Sequence, residues 1–353
     1  MKVMVAMSGG VDSSVAAALL LEQGFDVTGV TLRLFDNADI GEDKEKTCCS
    51  LRDVEDARDV AFQLGIPYHV FNFNTLFRRE VMDRFIAAYQ SGATPNPCID
   101  CNRYIKFDAM LRRAAELDLD ALATGHYAII EPSGGRYLLK KATDPTKDQS
   151  YVLYGMTQKQ LAKTRFPLGT FSKTEVRLLA EKYGFSNAKK RDSQDICFVP
   201  DGDYARFIEE TTGTSCPCGN FVDQTGHVLG KHRGHIRYTI GQRRGLGLAL
   251  PQSLYVCSKD PETNTVVLGE NTALFEKSLT AKDINLIALD SIPAPLRVKA
   301  RVRYKQPEQW ATVEQTAPGT LHIEFDEPQR AIARGQAVVL YDGDVVVGGG
   351  TIA

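Results

Sequence analysis

The segment VMVAMSGGVDSS, residues 3–14, constrains this chain more than any other. Apolar residues run directly into a double glycine and then into VAAALLLEQG, whose Ala and Leu content favours helix. A strand that feeds a helix through a glycine turn returns to its sheet by a crossover, so its next strand lies parallel to it. Short apolar runs recur at 26–32 (DVTGVTL), 68–73 (YHVFNF) and 121–124 (ALAT), with helical stretches such as 14–23 and 52–64 between them. That alternation predicts a parallel sheet covered on both faces, with ligands at the carboxyl ends of its strands.

The alternation fades near residue 200. PDGDYARFIEETTG reads as one short helix, and the Gly-, His- and Arg-rich sequence after it (GHVLGKHRGHIRYTIGQRRGLGLAL) reads as strands and loops. From about 275, Val, Thr and Ile alternate with polar residues and turn signals recur (APGT, YDGD), as in an antiparallel barrel or sandwich. The expected fold is α/β: a Rossmann-like parallel-sheet domain over 1–200, a small central domain over 201–275 and a C-terminal antiparallel β-barrel over 276–353. A length of 353 residues fits two or three such cores.

Charge and cysteine usage narrow the function classes. The net charge of −2 offers no global sign of nucleic-acid binding, but the charge is uneven. Lys and Arg number 13 against 19 Asp and Glu in residues 1–130, 19 against 12 in 131–250, and 10 against 13 in 251–353. The middle third is therefore basic, as a polyanion-binding surface requires. Eight cysteines without a secretion signal argue for a reducing compartment and available thiols rather than a disulfide scaffold. No run of about 18 apolar residues exists to span a membrane, and a cytoplasmic protein is expected.

Four stretches carry chemistry. In SGGVDSS (8–14), Gly9 and Gly10 let backbone approach an anion while Ser8, Ser13, Ser14 and the helix start offer donors to phosphate oxygens. No Lys follows these glycines, so this is not the GxxxxGK[ST] loop. In TPNPCIDCNRYIKF (94–107), two prolines stiffen a loop presenting Cys98 and Cys101 at Cys-x-x-Cys spacing, which suits half a zinc site, a redox dithiol or a single nucleophilic thiol. In KKRDSQDICF (189–198), Lys189, Lys190 and Arg191 precede Cys197; cations near a thiol favour the thiolate if the fold brings them close, whereas a small buried hydrophobe between Ile196 and Phe198 is the plainer reading. In RVKARVRYK, Arg297, Lys299, Arg301, Arg303 and Lys305 alternate with other residues, so a strand would place five cations on one face, either against phosphates or simply in water. KHRGHIR (231–237) and QRRG (242–245) are further basic candidates. Cys48 and Cys49 sit in a charged loop, and Cys216, Cys218 and Cys257 are read as structural.

Taken together, SGGVDSS, the NPxxxCN segment Asn96 to Asn102, TGHY (124–127), KDQSY (147–151) and ICF (196–198) resemble the tRNA-specific 2-thiouridylase family, and SGGVDSS resembles the PP-loop of ATP pyrophosphatases. The likeness continues to FDEP (325–328) and GGG (348–350), nearly the whole chain. It implies an ATP- and magnesium-dependent sulfurtransferase that adenylates O2 of a wobble uridine in tRNA and replaces that oxygen with sulfur. By the resemblance Cys197 carries a persulfide and Cys101 is the thiol that frees its sulfur, leaving a Cys101–Cys197 disulfide for a reductant to reset. ATP is expected at Ala6, Met7, Ser8, Gly9, Gly10, Val11, Asp12 and Ser13, at Leu32 and at Gly125, with Asp12 on magnesium. The target base is expected at Asn96, Pro97 and Cys98 near His126, and tRNA at Lys147, Asp148, Gln149, Arg303, Tyr304 and Gln336. Partners implied are tRNA of the Lys, Glu and Gln acceptors and a sulfur donor, either a cysteine desulfurase or a relay carrier. Many family members carry Asp, with a general acid-base role, where this chain has Cys98; Cys98 either stands in for that residue or joins Cys101 and Cys197 in holding an iron–sulfur cluster with one open iron. The competing function is another adenylating ligase on the same fold that needs no cysteine.

Overall fold

A computed structural model describes residues 1–35, 51–190, 192, 196–249 and 252–353; the expectations for Cys48, Cys49 and Arg191 lie outside them. The described chain divides into two compact units: residues 1–82, 97–202 and 342–348 in the first, and 83–96, 203–341 and 349–353 in the second.

The first unit is built on a five-stranded parallel sheet. Its strands are β1 (Lys2–Ala6), β2 (Asp26–Arg33), β3 (Tyr68–Asn72), β4 (Ala121–Thr124) and the short Thr164–Arg165, in the order β3-β2-β1-β4 and then Thr164–Arg165. Helices α1 (Val11–Glu22) and α2 (Leu51–Gln63) make the first two crossovers. The predicted strands and helices fall on these elements within a few residues. Val3, Val5, Val15, Ala16, Leu20, Val27 and Ala123 are buried together, because β1 is covered on both faces and α1 is apolar almost all round. After β3 the chain crosses to the other side of β1, so the order reverses between β1 and β4. There Ala6 lies in register with Thr124, which opens a crevice at the carboxyl ends of both strands.

In the second unit, helix Tyr204–Thr212 starts on Asp203, whose carboxylate accepts from the Arg206 amide at 2.9 Å, and ends on Gly213 in the left-handed conformation. A four-stranded sheet follows, ordered Tyr255–Asp260, Thr265–Gly269, Gly219–Val222 and Val228–His232, around a core of Phe221, Tyr238, Val256, Val266 and Leu268. The last six strands run Phe275–Leu286, Thr320–Arg330, Gln309–Ala317, Leu296–Arg301, Ala337–Asp342 and Val345–Ile352 in sheet order, and the first also pairs with the last. This closure makes the expected antiparallel barrel rather than a sandwich, and the sheet continues from Val345–Ile352 into the hairpin of Arg136–Lys140 and Ile129–Ser133.

Candidate active site

The turn between β1 and α1 is held open by its glycines. Gly9 has φ 69°, and a Cβ there would stand 2.3 Å from the Asp53 carbonyl oxygen, so no other residue fits. Gly125, just after β4, comes so near that its Cβ would stand 2.8 Å from the Ser13 amide nitrogen. Helix α1 begins at Gly10 without a side-chain cap. Its uncapped amides and the positive end of its dipole favour an anion. The hydroxyls expected to donate to phosphate are turned inward: Ser13 and Ser14 donate to the Gly10 carbonyl at 3.0 and 3.1 Å. They shape the turn and leave the uncapped backbone amides of α1 as its donors.

A pocket opens at this switch point. Ala6, Met7, Ser8, Asp12, Ser13, Leu32 and Gly125 line it, as do His126 and Gln149, while Val30, Thr31, Leu34, Lys106 and Thr124 complete the wall. Gly9, Gly10 and Val11 form the turn behind the lining. Asp12 accepts from the Tyr127 hydroxyl at 2.8 Å and is ion-paired with Lys173 at 2.7 Å. Burial and the Asp12 carboxylate push the Tyr127 phenol far up, so it stays protonated and donates. Thr124 Oγ1 lies 2.7 Å from His126 Nδ1, and burial, followed by the charge of Lys106, holds His126 well below the usual imidazole range. His126 is therefore neutral at neutral pH, a hydrogen-bonding group and not a cation.

Several groups at this site escape a reading of motifs. Lys190 is drawn away from any role at Cys197: its ammonium pairs with Asp53 at 2.5 Å and Asp56 at 2.6 Å and donates to the Gly9 carbonyl at 3.2 Å. Asn187 Nδ2 donates to the same carbonyl at 3.1 Å and to Ser14 Oγ at 2.9 Å. Lys189 is exposed. Of the three cations read as activating Cys197, Lys190 instead fastens the phosphate turn.

Cys98 and Cys101 sit three residues apart where the helix Pro97–Asp100 runs into wide, π-type turns from Cys101 to Ala109. Cys98 is exposed and Cys101 partly buried; Asn102 Nδ2 pins the segment to the Val152 carbonyl at 3.0 Å. Burial pushes the Cys101 thiol up to about 11, with Lys106 opposing, so it is protonated at rest. Cys197 is partly buried beside Phe198, whose ring meets Phe77 edge-on at 5.7 Å. None of the three is in a disulfide. Among the described residues no group of three or more His, Cys, Asp or Glu is arranged to hold a metal.

The residues expected on tRNA have mixed surroundings. Asp148 is buried and accepts from the Ala142 and Ser150 amides and the Ser150 hydroxyl, which fixes the loop ahead of it. Gln149 accepts from the Tyr127 amide at 2.9 Å, and Lys147 pairs with Asp192 at 2.7 Å. Gln336 donates to the Thr94 carbonyl at 2.7 Å, and Tyr304 is exposed. The five-cation stripe is shortened, because its strand ends at Arg301. Arg297 forks onto Asp326, Arg301 pairs with Glu308 at 2.9 Å, and Arg303 turns inward to the Ile240 and Ala331 carbonyls. In KHRGHIR both histidines are buried. Among the described residues no helix is long and apolar enough to cross a membrane.

Comparison with known proteins agrees with the motif set. Residues 1–201 match a tRNA methyl transferase HUP domain model, 205–270 a tRNA methyl transferase PRC-barrel model and 276–352 an aminomethyltransferase β-barrel model. The chain is 54% identical over 351 residues to the tRNA-specific 2-thiouridylase MnmA of Moorella thermoacetica, covering 99% of this chain and 98% of that one. It is 52% identical over 355 residues to that of Acetivibrio thermocellus, with 99% of both chains covered. With the phosphate turn, the paired Cys98 and Cys101, and these full-length likenesses in place, the chain belongs to the tRNA-specific 2-thiouridylase MnmA family.

Proposed function

We propose that the protein thiolates the wobble uridine of tRNA at C2, using ATP to activate the oxygen and a cysteine persulfide to supply the sulfur. The observation that carries the reading is the pocket at the β1/β4 switch point, lined by Ser8, Asp12, Ser13, Lys106, Gly125 and His126. ATP would lie there with its phosphates toward the uncapped amides of α1, and Asp12 would offer a carboxylate to magnesium. A uridine C2 oxygen leaves poorly as oxide or hydroxide; as an AMP ester it leaves easily.

On this reading the sulfur step balances without a metal centre. Cys197 receives an outer sulfur from a donor protein as Cys197–S–SH. The Cys101 thiolate attacks the inner sulfur, the S–S bond to the outer sulfur breaks, and hydrosulfide leaves. Hydrosulfide adds at C2 and AMP departs with the former uridine oxygen. The Cys101–Cys197 disulfide left behind needs two electrons and two protons from a thiol reductant. Because Cys101 is held protonated at rest, its deprotonation gates sulfur release and protects the persulfide from early discharge.

Thionucleoside analysis tests this. Unmodified tRNA of the Lys, Glu or Gln acceptors, incubated with the protein, ATP, magnesium and a persulfide source, should yield 2-thiouridine only when ATP is present. Cys101→Ser and Cys197→Ser should each abolish product while AMP still forms. Full thiolation by both variants would favour a cysteine-independent adenylating ligase instead.

A further inference from the structure

Cys216 lies on the loop between helix Tyr204–Thr212 and strand Gly219–Val222, and its sulfur is 3.5 Å from His235 Nδ1. His235 is 8% exposed, and its Nε2 lies 3.2 Å from the Gln90 carbonyl oxygen. A carbonyl can only accept, so Nε2 carries hydrogen and Nδ1 turns its lone pair toward the thiol. The arrangement is a nucleophile, a base and a group that orients the base.

The surroundings are built for this approach. Gly234 has φ 103°, and a Cβ there would stand 2.9 Å from Cys216 Cβ and 3.1 Å from its sulfur. Any side chain at 234 would push the thiol off the imidazole. The Cys216 amide is anchored on Glu209 Oε1 at 3.1 Å. That carboxylate would oppose a thiolate, but Arg237 pairs with its other oxygen at 2.5 Å and offsets its charge. The neighbouring His232 has Nδ1 accepting from the Gly234 amide and Nε2 against the Asn264 carbonyl, and burial lowers its pKa, so it adds no charge at neutral pH. Cys216 itself is only half-buried and within reach of small molecules.

We propose that Cys216 and His235 form a second thiol centre, apart from Cys98, Cys101 and Cys197, that reacts with low-molecular-weight disulfides. His235 Nδ1 takes the Cys216 proton, and the thiolate attacks one sulfur of R–S–S–R. A bond forms between Cys216 Sγ and that sulfur, the S–S bond of the small disulfide breaks, and the other half leaves as R–S⁻, which takes the proton from His235. Cys216 is oxidised and half of the disulfide is reduced, with no further reagent.

The experiment uses the full-length protein and oxidised glutathione as probe, with adduct formation read by peptide mass spectrometry that resolves Cys216 from Cys218. Cys218 is exposed on the same loop and serves as the internal control. At pH 7 the Cys216 adduct should form about 10-fold faster than the Cys218 adduct or better. His235→Gln should bring Cys216 down to the Cys218 rate and leave Cys218 unchanged. Equal rates for the two cysteines in the wild type overturn the proposal even if the variant fails to fold. A folded His235→Gln protein that keeps the fast Cys216 rate also overturns it.

Discussion

Lys173 Nζ stands 2.7 Å from Asp12 Oδ1 and 2.7 Å from Asp192 Oδ1, so one ammonium neutralises two carboxylates that come from opposite ends of the first unit's sequence. The Lys173 side chain is only 12% exposed, which reduces screening by water. Replacing it with Met takes the cation from Asp12, while Asp192 keeps Lys147 at 2.7 Å and Arg177 at 3.2 Å. Lys173→Met should destabilise the protein by about 2 kcal/mol, less than the loss of a fully buried partner because both carboxylates are partly solvated. A melting curve checks the loss, and Asp12→Asn added to Lys173→Met should recover part of it.

The phosphate turn gives a graded test of backbone geometry. Gly9 and Gly24 both have positive φ, 69° and 80°. A Cβ at Gly24 meets nothing within 4 Å, while at Gly9 it collides with the Asp53 backbone. Gly24→Ala should therefore cost about 1 kcal/mol, the conformational penalty alone. Gly9→Ala should cost clearly more, about 3 kcal/mol, and weaken ATP binding because the turn must move. Calorimetric titration with ATP separates the two: Gly24→Ala should bind like wild type.

How much of this was legible in the sequence follows from the range of each interaction. The β1 strand, the turn and α1 are specified by consecutive residues, so periodicity and two glycines suffice to place them. Lys173, Asn187 and Lys190 reach the turn across separations of 161 to 181 residues, and no local pattern marks them. The basic strand shows the same limit in another form. A period of two correctly set Arg297, Lys299 and Arg301 on one side, but Asp326 and Glu308, which pair with two of them, approach from other segments. The five-cation reading failed at Arg303 because the strand had already ended. No local pattern sets Cys216 beside His235, 19 residues away, whose ring is oriented by a carbonyl 145 residues from it.

Arg303 and Lys299 separate structure from nucleic-acid contact on the barrel. The Arg303 guanidinium donates to the Ile240 carbonyl at 3.0 Å and the Ala331 carbonyl at 2.9 Å. Hydrogen bonds from a charged donor contribute about 1.5 to 3 kcal/mol each, and truncation leaves those acceptors unmet. Arg303→Ala should lower the melting temperature. Lys299 instead has its ammonium 5.4 Å from the Trp310 ring, a residue 48% exposed. Lys299→Ala should leave melting nearly unchanged and, if the barrel contacts phosphate, reduce the salt slope of tRNA binding by about one ion. Filter binding at several salt concentrations measures it.

Lys259 carries a pH dependence of known sign. Its Nζ is buried without a hydrogen-bond partner among the described residues and lies 5.7 Å from the centre of the Tyr89 ring. Burial lowers its pKa from 10.5 to about 8. A lysine whose folded pKa lies below its unfolded value destabilises the fold while it is charged in both states. That cost, about 3 kcal/mol from the size of the shift, is fully present below pH 8. As pH rises from 8 toward 10.5 the folded state sheds its proton first, and the cost disappears. Lys259→Met keeps the length of the stem and removes the charge. It should raise the melting temperature at pH 6.5, and the gain should shrink steadily to nothing by about pH 10.5. Melting curves at three pH values decide the point: a gain that is the same at every pH would mean the ammonium is solvated, and a loss at pH 6.5 would mean its contact with Tyr89 outweighs its desolvation.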